Sequence, residues 1–228
     1  MASNGEPRRL QVAIPIFENM TMLDLVGPYE MLNAVPHIDV VFVGHKRGLV
    51  SDLGSFTMEA KASFDEVPSP DVLVVPGGLG TRTLQYDKTI LDWIRKAHET
   101  TLYTTSVCTG SLLLGAAGLL KGLDATTHWA ILPTLSSFGA NPVSARVVRQ
   151  GKIITAAGVS SGIDMGIQLV ALLTDELTAK AVQLFTEYDP EPPFNTGHPS
   201  KATPDVRDKT DSILHLHHAD FAAKTQGK

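Results

Sequence analysis

The side chain best suited to chemistry in this sequence is Cys108, which stands between a strand-like run and a helix-like run. The β-branched and aromatic run 102–106 precedes it, and apolar residues at helical spacing begin at Leu112. Ser106 and Gly110 lie two positions either side of the cysteine. Small residues there, as in a G-x-S-x-G elbow, let the backbone turn sharply and present the middle side chain at the end of a sheet.

A cysteine on such an elbow would be a nucleophile. Its sulfur would lie beside the first free N–H groups of the next helix, and these donors and the helix dipole favour the thiolate, which is the nucleophilic form. A lone cysteine is also commonly a small buried hydrophobe. The small flanking residues and the change from strand to helix favour the reactive role. They predict an exposed thiol of low pKa that oxidises readily.

Asp24 could supply an acid beside that sulfur. It lies in the turn between a predicted strand over 10–16 and a predicted helix over 25–32. Aspartate is a favoured N-cap, so position alone slightly favours a structural role. If the carboxyl instead lies near a thiolate, charge repulsion raises its pKa, and it can hold and donate a proton. Thr109 would place a hydroxyl near the same spot, or would only begin the helix.

Gly77 and Gly78 follow the predicted strand 71–75 and could bring backbone N–H groups close to a ligand. With the N–H of Thr109 they would form an oxyanion-hole-like pair facing the sulfur. A tight turn that needs positive φ is the alternative. A phosphate-binding loop is disfavoured, because the segment lacks the Walker lysine and the G-x-G-x-x-G spacing.

The histidines indicate a catalytic or metal-binding role less clearly than Cys108 and Asp24 do. His128, twenty residues after the cysteine, is a possible general base in a Cys-His pair. We favour a hydrogen-bonded structural histidine, because a helix terminus can lower the thiol pKa without a nearby base. His215, His217 and His218 lack i, i+4 spacing, so a solvated tail is a better interpretation than a metal site.

The elements that must position these residues form a regular alternation. Buried or half-buried strands are predicted at 10–16, 39–44, 71–75 and 102–106, with helices at 25–32, 88–99, 162–173 and 178–184. Shorter features are a hairpin of 49–51 with 56–59, a strand at 125–127, a helix at 129–137, and a strand pair of 147–149 with 153–156. This alternation predicts a doubly wound α/β fold with a mostly parallel sheet and helices on both faces. The turns holding Asp24, Gly77 and Cys108 would then meet at one sheet edge, where such folds bind ligands.

Composition narrows the classes of function. The chain has 228 residues, 43% hydrophobic content and a net charge of −5 without a basic patch, which favours a small-molecule partner over nucleic acid. One cysteine excludes an internal disulfide and a Cys-rich metal site, and is consistent with a cytoplasmic location. The polar start predicts no secretory signal, and the longest apolar run, 112–120, is shorter than the roughly 20 residues that span a bilayer.

Three segments are expected along the chain. They are a disordered N-terminus over 1–9, a single α/β domain over 10–200, and a C-terminal helix or tail over 201–228. The prolines at 190, 192, 193 and 199 end regular structure after the last helix of the domain. No internal repeat or low-complexity segment is visible.

These motifs, taken together, resemble those of the ThiJ/PfpI superfamily, over residues 10–186. The shared segments include Leu23-Asp24-Leu25-Val26-Gly27-Pro28, Pro76-Gly77-Gly78 and Thr105-Ser106-Val107-Cys108-Thr109-Gly110-Ser111. The resemblance implies a flavodoxin-like sandwich of the class I glutamine amidotransferase type, with a cysteine on a nucleophile elbow. The Cys108-Thr109 pair, Asp24 and the proline-rich segment 187–195 resemble the branch that hydrates isocyanides.

That resemblance implies roles for particular residues. Cys108 would be the nucleophile, Asp24 the acid/base partner, Thr109 a supporting hydrogen-bond donor, and Val159 part of an apolar pocket wall. The implied reaction converts an isocyanide and water to an N-substituted formamide through a cysteine thioimidate, without a metal or organic cofactor. Related proteins are commonly homodimers with the site near the interface, so a homodimer is expected.

Two alternatives remain open. A glyoxalase- or deglycase-type activity on reactive carbonyls could use the same thiolate, although those members usually carry glutamate where this chain has Asp24. Peptidase-like members tend to place histidine directly after the cysteine, where this chain has Thr109. The second alternative is a non-catalytic redox sensor that uses Cys108 as a switch. A transcription regulator is disfavoured, because the tail is too short and too little basic for a helix-turn-helix domain.

Overall fold

The computed structural model of the chain describes residues 8–226. Its strands are β1 (Leu10–Pro15), β2 (Ile38–Gly44), β3 (Gly48–Ser51), β4 (Thr57–Ala60), β5 (Ala62–Ser63), β6 (Val72–Val75), β7 (Tyr103–Val107), β8 (Asp124–Ala125), β9 (Asn141–Pro142), β10 (Val147–Gln150) and β11 (Ile153–Ala156). Its α-helices are α1 (Met22–Asn33), α2 (Thr81–Leu84), α3 (Lys88–Thr100), α4 (Gly110–Ala116), α5 (Ser161–Leu173), α6 (Glu176–Phe185) and α7 (Pro204–Gln226). Two 3₁₀ helices cover Trp129–Phe138 and Pro199–Lys201.

A seven-stranded sheet in the order β10-β11-β7-β6-β1-β2-β5 forms the centre of the fold. All neighbouring strands in it are parallel except β10, which pairs antiparallel with β11. Every residue of β6 is fully buried, because both faces of the sheet are covered. The predicted doubly wound, flavodoxin-like architecture is therefore confirmed.

Close packing of α1 against α5 brings two parts of the sheet edge together. A Cβ atom on Gly166 would lie 2.9 Å from the Cα atom of Pro28, and one on Gly27 would lie 3.0 Å from Cγ1 of Ile163. These two helices can approach so closely only because each carries glycine at the contact. The contact holds the first turn of α1 near the turn that leads into α5.

The structure agrees with most predicted elements and differs at several. The segment after 128 is a 3₁₀ helix that contains Pro133, rather than an α-helix. The predictions missed α2, β5 and β9, which have four, two and two residues and are too short for a periodic pattern. No helix in the described range 8–226 is long and apolar enough to cross a membrane.

The chain divides into two compact units, one ending at Thr186 and the other beginning at Glu187. This border comes earlier than the predicted one at residue 200, because the α/β unit is complete when α6 ends. In the second unit the proline-rich segment is irregular, as predicted, and the tail forms the 23-residue helix α7. Most of the predicted disordered N-terminus, residues 1–7, lies outside the described residues.

Candidate active site

Cys108 lies on a sharp turn between β7 and α4, as the sequence predicted. Its φ of +54° is in the left-handed region, which a side chain bearing Cβ enters only at a cost. The turn is held because the Cys108 N–H donates to the carbonyl oxygens of Ala156, at 3.0 Å, and Ala157, at 2.8 Å. Glycine is required two residues later, since a Cβ on Gly110 would lie 2.1 Å from the Val75 oxygen.

Asp24 lies within the first turn of α1, and its side chain is fully buried. The N-cap of this helix is Thr21, so the interpretation of Asp24 as a helix cap is wrong. Its Oδ2 accepts a hydrogen bond of 2.9 Å from the N–H of Gly77. Burial raises the pKa of Asp24 to about 8, and the Gly77 N–H and the neighbouring Cys108 thiol oppose that rise only in part. The carboxyl is therefore mainly protonated at neutral pH.

The Cys108 side chain is only 5% exposed, so the expectation of an exposed thiol is wrong. Burial is the main cause that raises the pKa of Cys108 well above its usual value, and the nearby Asp24 charge raises it further. The N–H groups of Thr109 and Val159 act in the opposite direction. The Thr109 N–H at the start of α4 favours the thiolate as predicted, and the Val159 N–H is a further donor that the sequence did not predict. Desolvation outweighs both, so the expected low pKa is also wrong.

The two groups form one titrating pair. Two negative charges side by side in a buried site repel each other strongly, so the pair does not hold both charges at neutral pH. Loss of the first proton leaves one charge, which the sulfur can hold while Asp24 stays protonated. That form contains a nucleophile and an acid side by side.

Gly77 and Gly78 shape the wall that faces this pair. The N–H of Gly77 is bound to Asp24, and the N–H of Gly78 donates to Oγ1 of Thr109 at 2.8 Å. Neither N–H is left for an anion, so the expected oxyanion donors are instead holding the acid and the threonine. The positive-φ alternative holds for Gly78, whose φ is +127°. A Cβ on Gly77 would lie 2.6 Å from the backbone nitrogen of Thr109.

Thr109 follows the nucleophile, and its hydroxyl is already engaged. Oγ1 accepts from the Gly78 N–H and donates to the Gly78 carbonyl oxygen at 3.0 Å. The hydroxyl therefore ties the elbow to the loop after β6, while the backbone N–H of Thr109 faces the sulfur. The resemblance had placed this residue as a hydrogen-bond donor, and the donor that reaches the sulfur is its backbone N–H.

Val159 and His128 lie on the other side of the elbow. Val159 is half-buried, and its backbone N–H faces the Cys108 sulfur. His128 caps the 3₁₀ helix, since its Nδ1 accepts from the N–H of Ala130 at 3.3 Å. Burial lowers the pKa of His128, which keeps the ring neutral at pH 7. A Cβ on Gly158 would lie 2.8 Å from Cδ2 of His128, so the ring packs against the turn that carries Val159.

Other contacts that hold the elbow in place could not be predicted from the sequence. The Thr127 hydroxyl donates to the Cys108 carbonyl oxygen at 2.8 Å. The carbonyl groups of Ala156 and Ala157 hold the Cys108 N–H, and a backbone carbonyl has no side-chain signature. Across residues 8–226, no cluster of three His, Cys, Asp or Glu side chains could hold a metal ion.

Comparison with known proteins identifies the family. The model of the DJ-1/PfpI family matches residues 10–172, which include the elbow and Asp24. The chain belongs to the DJ-1/PfpI family. This agrees with the resemblance to the ThiJ/PfpI superfamily drawn from the sequence motifs.

Individual DJ-1/PfpI relatives differ in how much of the chain they share. An isonitrile hydratase from Pseudomonas putida is 42% identical over 200 residues, which are 88% of each chain. The crystal structure of a ThiJ/PfpI family protein from Pseudomonas syringae matches with a TM-score of 0.88 and 38% identity, covering 93% of this chain and 88% of that one. A deglycase from Pyrococcus abyssi is 26% identical over 149 residues, which are 64% of this chain and 89% of its own.

Proposed function

We propose that this DJ-1/PfpI protein is an isocyanide hydratase, a lyase that converts an isocyanide and water to an N-substituted formamide. The observation that carries the proposal is the buried pair of Cys108 and Asp24, in which a pKa of about 8 lets the carboxyl hold a proton beside the sulfur. Identity of 42% to an isonitrile hydratase over most of both chains supports this choice of substrate.

The reaction begins from the singly charged pair. The Cys108 thiolate attacks the terminal carbon of R–NC and forms an S–C bond, while protonated Asp24 delivers its proton to that carbon. The product is a thioimidate, R–N=CH–S–Cys108. No charge is created on the substrate, which suits a buried site.

Water completes the turnover. It adds across the C=N bond to give R–NH–CH(OH)–S–Cys108: the ionised Asp24 accepts one proton of the water as the oxygen attacks the carbon, and then passes that proton to the nitrogen. The tetrahedral carbon then collapses to R–NH–CHO and releases the sulfur as thiolate, while the hydroxyl proton goes to Asp24 and restores the singly charged pair. The atoms balance as one isocyanide plus one water, and the mechanism needs no metal or organic cofactor.

Backbone N–H groups around Cys108 and Asp24 position the carboxyl and stabilise the sulfur in this mechanism. The N–H of Gly77 fixes the Asp24 carboxyl through Oδ2. Oδ1 is buried without a hydrogen-bond partner among the described residues, so it is the oxygen available to carry the proton. The N–H groups of Thr109 and Val159 stabilise the sulfur charge before attack and after collapse.

Parallel assays with an isocyanide and with methylglyoxal test the proposal. We expect formamide production from a simple aryl or alkyl isocyanide, measured by chromatography, and little loss of methylglyoxal. Turnover of methylglyoxal alone would favour a glyoxalase- or deglycase-type activity. Turnover of neither substrate, with ready oxidation of the thiol, would favour a redox sensor, although burial of Cys108 argues against that role.

The pH dependence of hydration should follow the titration of the pair formed by Cys108 and Asp24. Below the first pKa the pair holds two protons and lacks the thiolate, so kcat/KM is expected to rise as pH increases through about 8. The rise should have unit slope on a logarithmic plot, because one proton is lost. Measurement of kcat/KM from pH 6 to 9 checks this. A rate that falls over that range, without a rise first, would contradict the requirement for the singly charged pair.

We further propose that the protein acts as a homodimer, as its relatives commonly do, in the cytoplasm. Leu177, Leu184 and Phe185 on α6 are each 78–79% exposed and form an apolar strip, which is unusual for a surface that faces only water. Light scattering coupled to size-exclusion chromatography should give the mass of a dimer. Changing Leu184 to Glu should weaken it, and a monomer in the wild type would overturn the proposal.

A further inference from the structure

The side chains of the turn that carries the Val159 N–H do little to hold it in place, although its Gly158 carbonyl accepts from the N–H and hydroxyl of Ser161. It covers residues 157–160 and joins β11 to α5. Gly158 has no side chain, Val159 is half-buried and Ser160 is exposed. Yet this turn must be placed accurately, because both the Ala157 carbonyl and the Val159 N–H act directly on Cys108.

Arg146, which precedes β10, contacts this turn on both sides. Its backbone carbonyl accepts from the Ala157 N–H at 2.9 Å, just before Val159. Its guanidinium donates from Nη2 to Oγ of Ser160 at 3.3 Å, just after Val159. The guanidinium also donates from Nε to the Asp164 carboxylate in the first turn of α5. Arg146 therefore contacts the chain on both sides of the Val159 amide, at Ala157 and at Ser160, and again at Asp164 in α5.

We infer that Arg146 is a positioning residue, which fixes the Val159 N–H against the Cys108 sulfur through its bonds to Ser160 and Asp164. The inference goes with the proposed hydratase function, because it explains how the thiolate of that mechanism is stabilised. An exposed ion pair contributes little to stability. Its effect here is geometric, since a small displacement of a donor that faces charge weakens a charge-assisted hydrogen bond.

The chain offers a matched control. Arg149 lies on the adjacent strand β10, donates to the Gly151 carbonyl and stacks over Tyr103, away from the turn. Arg146→Met and Arg149→Met thus remove the same charge from the same region. Arg146→Lys restores the charge, and it keeps a donor for Asp164.

The first readout is the titration of the thiol, which does not depend on activity. Cys108 is the single cysteine, so ultraviolet thiolate absorbance, corrected with a Cys108→Ser baseline, reports this sulfur alone. Asp24 is the titratable side chain that acts on the sulfur, and it is unchanged in every variant. We expect Arg146→Met to move the thiol midpoint upward by about one pH unit, Arg146→Lys to recover most of that shift, and Arg149→Met to leave it unchanged.

The second readout is steady-state hydration of an isocyanide. Arg146→Met should lower kcat about tenfold and change KM less than about twofold, because the stabilised charge is on the enzyme sulfur.

An unchanged thiol midpoint in Arg146→Met would overturn the inference, as would an equal shift in Arg149→Met. If Arg146→Met does not fold, Asp164→Asn takes its place with the same expected shift, and an unshifted midpoint there overturns it too. A wild type without hydratase activity would refute the proposed function but leave the titration as a valid test.

Discussion

Replacing Cys108 with alanine should reduce isocyanide hydration by about four orders of magnitude or more, because the covalent step is lost. The thioimidate cannot form without the sulfur, and no other nucleophilic thiol exists in the chain. Serine is the matched control, since it keeps the polar atom at the elbow but ionises only at a far higher pH. It should be similarly inactive. Measurement is by formamide production over extended incubation, with circular dichroism to establish that both variants fold.

The alternative role for Cys108 makes a different prediction. If the residue were only a small buried hydrophobe, alanine would cost about 1 kcal/mol of folding free energy or less and would spare activity. Residual hydration above a few per cent in Cys108→Ala would therefore remove the sulfur from the mechanism. Intact-mass analysis of the wild type during turnover offers an independent check, since the thioimidate adds the mass of one substrate to the protein.

The sequence predicted the elements of this site better than its electrostatics. The fully apolar strand β6 and the change of pattern around Cys108 were sufficient to indicate a parallel sheet with an elbow at its edge. Burial of the thiol could not be predicted, because it depends on how α1 and the turn before α5 close over the elbow. The sign of the pKa shift follows from that closure, so a helix-terminus argument alone gave the wrong direction.

Backbone groups account for most of what was missed. Gly77 was identified correctly as a position where the backbone comes close to the site, but its N–H serves Asp24 rather than a ligand. Val159 was expected to contribute an apolar wall, and its N–H turned out to face the sulfur. Arg146 has an ordinary sequence context, so only the folded arrangement associates it with Cys108. Short sequence patterns identify side chains, whereas amides and carbonyls become visible only once the chain is folded.

Asp24→Asn should nearly abolish hydration while making the protein more stable at neutral pH. Activity falls because asparagine cannot deliver a proton to the isocyanide carbon, and a loss of about a hundredfold or more is expected. Stability rises because the carboxyl is buried at a thermodynamic cost. Its pKa is about 8 in the folded protein and about 3.9 in the unfolded chain, so between these values the unfolded chain ionises while the folded one does not.

The sign of the pH dependence follows from those two values. The folded pKa is raised, so the stability linked to Asp24 is fully present below about pH 4 and decreases until the pH passes about 8. The difference in unfolding free energy between Asp24→Asn and the wild type should be small at pH 4, and should then grow by about 1.4 kcal/mol per pH unit. It should reach about 4 kcal/mol near pH 7 and level off above about 8.

Denaturant unfolding of both proteins at pH 4, 5.5, 7 and 8 measures that difference, and subtraction removes the carboxylates that titrate alike in both. The asparagine introduced by Asp24→Asn can still accept the Gly77 hydrogen bond through its amide oxygen, so the variant should keep the site geometry. A difference that does not change with pH would mean that the carboxyl is ionised in the folded protein, and the acid assigned to this mechanism would be absent. A variant that is both stabilised and inactive would establish that the protein keeps a destabilising carboxyl because the reaction requires it.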